Sequence, residues 1–305
     1  MASLAVLYGP TAVGKTALSI PIARALDAEI VNVDSRQIYR FMDIGTAKPT
    51  AAQCAQVPHH LLNILLPDQG SSAASFVEAA WQVIDELLQR GKRPLIVASS
   101  GLYLQALLYG LMAAPSADKP LRRKLHAYAD RYGTATLHQR LQVVDPLAAL
   151  QYHPHDRIRL VRALEVTYLT GEPFSSHVQR HQQQGSVHPH IGFGLTRERS
   201  ELYARIAERT NAMLTAGWLV EVRSLLARGY TRKCAAMNSL GYRELLMYLD
   251  GQISWLDAVT AIKQVTRRLA KRQLTWLRKF PALHEINLST VGEKNAVASI
   301  IEQLR

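Results

Sequence analysis

The chain has 305 residues and a mass of 34.0 kDa, with 48% hydrophobic and 20% charged residues, a composition that excludes intrinsic disorder. Its two cysteines, Cys54 and Cys234, are too few for a disulfide framework and too far apart for a zinc site, which indicates a reducing compartment. The formal net charge is +12 and lies mainly in the second half, since residues 1–150 carry 14 basic and 11 acidic side chains and residues 151–305 carry 22 and 13. This distribution fits either a polyanionic partner or a well-solvated surface.

Strand and helix signals alternate along the first hundred residues, and this alternation predicts a parallel sheet covered by helices. Each predicted strand is a short apolar run, whereas each predicted helix has apolar residues at helical spacing. In chain order the predicted elements are a strand at Leu4–Tyr8, a helix over 15–26, strands at Ile30–Val33 and Pro94–Ala98 with a helix over 75–90 between them, and later strands at Ile191–Leu195 and Leu283–Ile286.

Between about residues 111 and 190 the pattern changes to charged amphipathic helices broken by prolines and a glycine. We therefore predict an α/β fold with a core domain formed by residues 1–112 and 190–305, whose C-terminal part is helical. A mainly helical insertion domain would occupy residues 113–189.

No segment of the sequence indicates export or a membrane. The most apolar stretch, 102–114, is too short to cross a bilayer, and the N-terminal residues lack a basic region before an apolar run. We therefore expect a cytoplasmic protein that does not bind membranes.

The strongest motif is Gly9-Pro10-Thr11-Ala12-Val13-Gly14-Lys15-Thr16, which matches the phosphate-binding loop pattern between a predicted strand and a predicted helix. Its glycines let the backbone approach phosphate oxygens closely, and its N–H groups with the helix N-terminus attract an anion. Lys15 adds a full positive charge, and the Thr16 hydroxyl would bind Mg²⁺. The motif predicts a polyphosphate or pyrophosphate ligand without identifying ATP.

Asp34 follows the second predicted strand and is expected directly beside the phosphate loop, at the edge of the sheet where ligands bind. A carboxylate there could hold Mg²⁺, act as a base toward an acceptor nucleophile, or cap the following turn. The strand at Pro94–Ala98 is followed by Ser99-Ser100-Gly101 and offers no second acid, which disfavours a motor ATPase.

Residues 263–279 carry seven basic side chains and no acidic one at helical spacing. Solvated helix faces usually mix both signs of charge, so this face predicts an anionic partner. Arg157, Arg159 and Arg162 form a second basic cluster in the insertion. Two such clusters could clamp one phosphate backbone.

These motifs resemble the bacterial tRNA dimethylallyltransferase (tRNA isopentenyl transferase) family, and the resemblance runs nearly end to end. The segments that carry it are the loop at 9–16, Asp-Ser-Arg-Gln-Ile-Tyr-Arg at 34–40, Met-Asp-Ile-Gly-Thr-Ala-Lys-Pro at 42–49, Pro-His-His-Leu at 58–61, Gly-Leu-Tyr-Leu at 101–104, Arg-Ala-Leu-Glu-Val at 162–166 and Thr-Arg-Arg-Leu-Ala-Lys-Arg-Gln-Leu-Thr-Trp-Leu-Arg at 266–278. The resemblance implies transfer of a dimethylallyl group from dimethylallyl diphosphate to the N6 amine of the adenosine just 3′ of the anticodon (position 37), in tRNAs that read codons beginning with U.

The resemblance also implies roles for individual residues. The phosphate loop would hold the diphosphate with Mg²⁺ on Thr16, Asp34 would take the proton of the amine, and Ser100 and Arg209 would complete the catalytic set. Contacts with the anticodon stem-loop of tRNA are implied for Asp34, Ser35, Arg36, Gln37, Ser100, Arg122, Ile158, Arg159, Leu160, Val161, Arg162, Ser239, Leu240, Gly241, Tyr242, Arg243, Glu244, Arg272, Gln273, Thr275, Trp276, Arg278 and Lys279. A monomer is expected.

One segment departs from the family pattern. Family members usually read Gly-Gly-Thr-Gly before Leu-Tyr, whereas this chain reads Ala98-Ser99-Ser100-Gly101. Ser100 keeps the hydroxyl of the family threonine, and the lost glycine is expected to narrow the loop.

Two other functions are compatible with the motifs taken singly. A small-molecule kinase would use Asp34 as the acceptor base over ATP, but it leaves the basic C-terminal helix without a role. A non-catalytic RNA-binding module would retain a phosphate loop without turnover. Labelled dimethylallyl diphosphate and labelled ATP distinguish the three functions by where the label goes.

Overall fold

A computed structural model describes residues 3–305; residues 1 and 2, part of the predicted core domain, lie outside the described residues. The strands are β1 (Leu4–Tyr8), β2 (Ala28–Val33), β3 (His59–His60), β4 (Arg93–Ala98), β5 (His190–Thr196) and β6 (Leu283–Asn287). The helices are α1 (Lys15–Ala25), α2 (Ala51–Cys54), α3 (Ala73–Gln89), α4 (Gly101–Tyr109), α5 (Lys119–Tyr132), α6 (Thr134–Val144), α7 (Pro146–Gln151), α8 (Arg157–Thr170), α9 (Phe174–Gln183), α10 (Arg199–Thr215), α11 (Trp218–Ala227), α12 (Tyr242–Leu249), α13 (Trp255–Leu277), α14 (Leu288–Val291) and α15 (Glu293–Leu304). None of the helices in this described part of the chain combines the length and apolarity that a membrane span requires.

The strands form one parallel sheet in the order β3-β2-β4-β1-β5-β6. All five predicted strands are present, each starting or ending within two residues of its predicted bounds. The two-residue strand β3 was not predicted, because a histidine pair has no apolar run to mark it. The predicted α/β class is confirmed.

The sheet order corrects the expectation that Asp34 lies directly beside the phosphate loop. Strand β4 lies between β1 and β2, and Ala98 at its end is paired with Tyr8 on one side and with Val33 on the other. The chain that follows β2 forms the edge strand β3 beside β2 and then returns to form β4 between β2 and β1. The segment after β4 therefore lies between the phosphate loop and Asp34.

The core around the sheet fixes α1 against the strand ends. Leu18 and Ile22 of α1 pack in one buried cluster with Leu7 of β1 and Ile30 of β2. The cluster also contains Ile300 of α15. Because these side chains are removed from water, α1 is held with its first turn at the carboxyl edge of the sheet.

The chain divides into two compact units, one formed by the described part of Met1–Leu108 with His188–Arg305 and the other by Tyr109–Val187. The second unit contains α5 to α9. Its core includes Leu137 and Leu141 of α6 and Leu160 and Leu164 of α8.

A buried carboxylate accepts several hydrogen bonds inside the second unit. Glu165 of α8 is fully shielded from solvent and accepts hydrogen bonds from Arg122 Nε (2.7 Å), Arg162 Nη1 (2.6 Å) and the Asp118 backbone N–H (2.8 Å). Burial opposes ionisation of Glu165, but the hydrogen bonds from Arg122 and Arg162 outweigh it and lower the pKa of this carboxyl group. The pair with Arg122 joins α5 to α8, whereas the pair with Arg162 lies within α8.

We expect Glu165→Ala to lower the free energy of unfolding by about 3–5 kcal/mol, because it leaves two arginines without their buried partner. The pKa of Glu165 is depressed in the folded state, so its contribution to stability is present above the unfolded-state pKa and disappears as the pH falls through the folded-state pKa. Urea unfolding at neutral pH measures the loss, with Glu78→Ala on the exposed surface of α3 as the matched control. Equal stability of the two variants would contradict this assignment.

Candidate active site

The phosphate loop connects the end of β1 to the start of α1. Gly14, the residue before the helix, has φ 116°, a left-handed conformation that favours glycine. Ala12 is also left-handed, with φ 64°. The Lys15 ammonium group turns back onto the loop and donates to the carbonyl oxygens of Gly9 (2.8 Å) and Pro10 (2.9 Å).

Two further cations hold the outer side of the loop. Arg205 of α10 donates from Nε to the Ala12 carbonyl (3.0 Å), and Arg197 Nε donates to the Val13 carbonyl (2.7 Å). Arg197 is itself fixed by ion pairs with Glu201 and Glu293. Since these loop carbonyls are taken by basic side chains, the groups left for a ligand are mainly N–H groups and cations, which suit an anion.

The Asp34 carboxylate lies at the end of β2 with its oxygens held by donors. Oδ1 accepts from the backbone N–H groups of Arg36 (2.7 Å) and Gln37 (3.1 Å), and Oδ2 accepts from the hydroxyl of Ser99. Asp34 therefore caps the turn after β2, which is one of the roles considered for it. The same carboxylate also faces the cavity described next.

One cavity of about 1130 Å³ contains both the phosphate loop and Asp34. Six basic side chains but only two acidic ones, Asp34 and Glu208, line it. The basic residues are Lys15, Arg36, Lys48, Arg205, Arg209 and Arg272. This excess of positive charge favours a polyanionic ligand, in a cavity that also offers the Asp34 carboxylate as a proton acceptor.

Many residues with predicted roles line this cavity. They are Thr11, Ala12, Gly14, Lys15, Thr16, Asp34, Ser35, Arg36, Gln37, Ser100, Arg209, Ser239, Leu240, Tyr242, Arg272, Gln273 and Trp276. Arg209 Nη1 is 3.5 Å from the Thr11 hydroxyl, next to the phosphate loop. Close packing holds Trp276 at the cavity wall, since a Cβ on Gly101 would lie 2.4 Å from its indole ring.

Other predicted tRNA contacts on the C-terminal helices do not line the cavity. Arg278 and Lys279 at the end of α13 are exposed, as is Thr275. By contrast, Glu244 is buried and accepts from the backbone N–H of Gly241 (2.7 Å) and from its neighbour Arg243 (2.8 Å).

In the second unit, α8 exposes some residues of the predicted tRNA-contact segment 158–162 and buries others. Ile158 is 81% exposed and Arg159 is also exposed. Leu160 and Val161 belong to the hydrophobic core of that unit, so their side chains are committed to packing. The tRNA contacts predicted for this segment stay predictions, and the exposed side chains available for them are Ile158 and Arg159.

The structure adds residues that sequence reasoning missed. Arg205 lies one helical turn before Arg209 on α10, a spacing that could have indicated a shared face. Glu221 of α11 accepts from the backbone N–H groups of Asp43, Ile44 and Gly45, and thereby holds the loop that forms one cavity wall. Glu221 is almost 180 residues away in sequence, and no local signal points to this contact.

Comparison with known proteins agrees with the geometry. Residues 37–280 match the family model for IPP transferase, and residues 2–67 match that for isopentenyl transferase. The chain is 46% identical over 302 residues to the tRNA dimethylallyltransferase of Symbiobacterium thermophilum, covering 99% of this chain and 94% of the relative.

Solved structures are similar over nearly the whole chain. The tRNA isopentenylpyrophosphate transferase of Bacillus halodurans is 36% identical with a TM-score of 0.73, covering 99% of this chain and 97% of that one. A eukaryotic dimethylallyltransferase acting on tRNA is 26% identical to this chain with a TM-score of 0.82, and the match covers 98% of this chain and 77% of that one.

The cations of the cavity lie close enough to affect one another. Loss of water around Lys15, followed by repulsion from Arg209, lowers the pKa of its ammonium group to about 7, and the attraction of Asp34 only partly opposes this. Burial is also the main cause that lowers the pKa of Arg209. A bound diphosphate would reverse both effects by supplying negative charge.

We therefore expect binding of inorganic pyrophosphate to take up a proton at Lys15. With a pKa of about 7 in the free protein, Lys15 is mostly neutral at pH 8, so affinity should fall as the pH rises above about 7, by up to about tenfold per pH unit. Titration calorimetry in buffers of different ionisation enthalpy counts the protons.

The control variants separate Lys15 from other basic groups. Lys15→Gln should remove the proton uptake, whereas Lys124→Gln, an exposed lysine of α5, should retain it. A pyrophosphate affinity that is independent of pH in the unaltered protein would show that Lys15 is already fully charged.

Proposed function

The chain belongs to the tRNA dimethylallyltransferase (IPP transferase) family, and from that premise we propose that it transfers a dimethylallyl group from dimethylallyl diphosphate to the N6 amine of an adenosine in tRNA. The adenosine is the one 3′ of the anticodon in tRNAs that read codons beginning with U. We further propose that the protein acts as a monomer in the cytoplasm, which rests on the family resemblance.

The observation that carries this proposal is the shared cavity. A loop suited to a diphosphate and a carboxylate suited to an acceptor proton line the same space, together with Arg272 and Trp276 of the basic helix α13. A small-molecule kinase would need the first two features only. The basic helix at the cavity wall supports an acceptor that belongs to a nucleic acid.

The phosphate loop side of the cavity would hold the leaving group. The loop N–H groups, Lys15 and Arg209 would stabilise the negative charge that grows on the diphosphate as the allylic C–O bond breaks. Lys15 donates to the carbonyl oxygens of Gly9 and Pro10, and the third N–H of its ammonium group would bind a diphosphate oxygen. Because the adenine amine is a weak nucleophile, bond breaking would lead the reaction.

The Asp34 side would handle the acceptor. As the bond from N6 to the allylic carbon forms, the amine must lose a proton, and Asp34 is a carboxylate that lines the cavity and could accept it. Ser100 also lines the cavity, and its hydroxyl would contact the amine or the base. The target base has to leave its stack in the anticodon loop to enter such an enclosed site.

The phosphate loop would bind a magnesium ion only together with the phosphate groups of the substrate. Thr16 lines the cavity and offers one hydroxyl, and residues 3–305 contain no cluster of three or more acidic, histidine or cysteine side chains that could hold a metal by themselves. Mg²⁺ commonly binds through one or two protein oxygens plus substrate phosphates and water. When bound, the ion would neutralise charge on the departing diphosphate.

The anticodon stem-loop would lie against the exposed face of α13. Arg272 lines the cavity and is exposed, and Arg278 and Lys279 extend the basic surface past the end of the helix. Lys279 Nζ lies 4.5 Å from the centre of the Trp276 ring, so an aromatic face and a cation are presented side by side. Such a surface suits phosphates and unstacked bases.

A transfer assay tests the proposal directly. The protein is incubated with Mg²⁺, undermodified tRNA and either labelled dimethylallyl diphosphate or γ-labelled ATP. We expect the allylic label to move to tRNA. Phosphate transfer to a small acceptor, or retention of tRNA without turnover, would refute the transferase proposal.

Asp34→Asn should lower turnover by at least about a hundredfold while leaving tRNA affinity unchanged, because the amide cannot take the proton. Asparagine is preferred to alanine here, since its amide oxygen can still accept from the backbone N–H groups of Arg36 and Gln37. Asp68→Asn, at an exposed position, is the matched control. Undiminished turnover in Asp34→Asn would remove Asp34 from the mechanism.

Arg272→Ala should weaken tRNA binding and reduce the slope of log affinity against log salt by about one, since one phosphate contact is lost. Arg223→Ala removes an exposed arginine of α11 that does not line the cavity and should leave the slope unchanged. Filter binding at several salt concentrations measures both. An identical slope for the two variants would place Arg272 away from tRNA.

A further inference from the structure

The segment after β4 lies between the phosphate loop and Asp34, which line the same cavity. We propose that Ser99 and Gln273 are positioning residues of the transfer reaction: Ser99 orients the Asp34 carboxylate, and Gln273 ties Ser99 to the phosphate loop. This inference rests on the proposed function. It assigns Gln273 a role different from the tRNA contact that the sequence resemblance implies.

The backbone of Ser99 is fixed by two hydrogen bonds. Its N–H donates to the Val33 carbonyl (3.1 Å), and its own carbonyl accepts from Gln273 Nε2 (2.8 Å). With both backbone groups engaged, the hydroxyl has little freedom beyond rotation of the side chain. That hydroxyl donates to Asp34 Oδ2.

The contact with Ser99 completes the fixation of Asp34. The turn after β2 supplies two N–H donors to Oδ1, from Arg36 and Gln37, and Ser99, in the segment after β4, supplies the donor to Oδ2. A carboxylate offers about four lone-pair sites, so three fixed donors leave roughly one for the acceptor amine. Without Ser99, the carboxylate would be held through Oδ1 alone and could tilt about that attachment.

Gln273 is built into the protein interior and not onto its surface. Its side chain comes from α13, is 7% exposed, and accepts from the Thr11 N–H through Oε1 (2.9 Å) while donating to Ser99 through Nε2. Its backbone carbonyl accepts from the Tyr8 hydroxyl (2.9 Å). One amide side chain therefore links the phosphate loop to the segment that holds Asp34.

The two residues together set the separation between the leaving-group site and the acceptor base. Thr11 adjoins Arg209 on one side and Gln273 on the other, so the polar contacts run without interruption from Arg209 to Asp34. Reactions of two bound partners depend steeply on such alignment. Displacement of either anchor should slow the chemical step more than it weakens substrate binding.

The test of Ser99 separates positioning from structure. Ser99→Ala should lower kcat by about tenfold with unchanged KM for tRNA, the effect expected for one hydrogen bond, and Ser99→Thr should restore most of the rate because it keeps the hydroxyl. In the Asp34→Asn background, Ser99→Ala should have no further effect, because its action passes through the carboxylate. Additive losses, or an unchanged kcat in Ser99→Ala, would overturn the role of Ser99.

The test of Gln273 uses a glutamine on the same helix as its control. Gln273→Leu should lower kcat, weaken binding of inorganic pyrophosphate and leave tRNA affinity unchanged, whereas Gln264→Leu, at an exposed position of α13, should change none of these. Circular dichroism and thermal unfolding confirm that both variants fold. Reduced tRNA affinity with unchanged pyrophosphate binding would instead assign Gln273 to the tRNA interface.

The two levels of inference fail separately. If the unaltered protein transfers the allylic group but Ser99→Ala and Gln273→Leu match it, only the positioning role is wrong. If the unaltered protein transfers nothing, the proposed function is wrong, and pyrophosphate binding by Gln273→Leu still decides whether Gln273 supports the phosphate loop.

Discussion

The engagement of the phosphate-loop carbonyls by basic side chains is the constraint on which the site depends. Lys15, Arg205 and Arg197 together occupy the carbonyl oxygens of Gly9, Pro10, Ala12 and Val13. A loop that presented these oxygens to the cavity would repel a diphosphate. With the oxygens satisfied, the loop offers N–H groups and positive charge, and the left-handed residue Ala12 has its carbonyl bound by Arg205.

The second constraint is the order of the central strands. Because β4 separates β1 from β2, the strands that lead into the phosphate loop and into Asp34 are two inter-strand spacings apart, or roughly 10 Å. The segment after β4 then becomes the natural support for both sides, and Gln273 of α13 is inserted at that point.

The large positive charge of the chain divides into two classes of basic residue. Some are neutralised within the fold: Arg197 is paired with Glu201 and Glu293, and Arg162 is paired with Glu165. Others remain without ion-pair partners in the described part of the chain, among them Arg272 of α13 and Arg278 just after it. The first class stabilises the scaffold, and the second is available to an external polyanion.

The sequence by itself determined the class of fold, the phosphate loop and the family, because these are written in short local patterns. A strand followed by Gly9 to Thr16 and a helix is recognisable from adjacent residues, and the amphipathic α13 is recognisable from its period. The same local reasoning brought Asp34 to the ligand edge of the sheet. It could not decide which strands are neighbours, because sheet order is set by packing between segments far apart in the chain.

Only the tertiary structure decided which of the predicted residues contact one another and which are buried. The placement of β4, the burial of Gln273 between Thr11 and Ser99, and the capping of the 43–45 loop by Glu221 all join segments separated by tens to hundreds of residues. A residue type alone cannot show whether a polar side chain faces solvent or satisfies buried backbone groups. That choice depends on where water is excluded, and water is excluded only once the helices have packed onto the sheet.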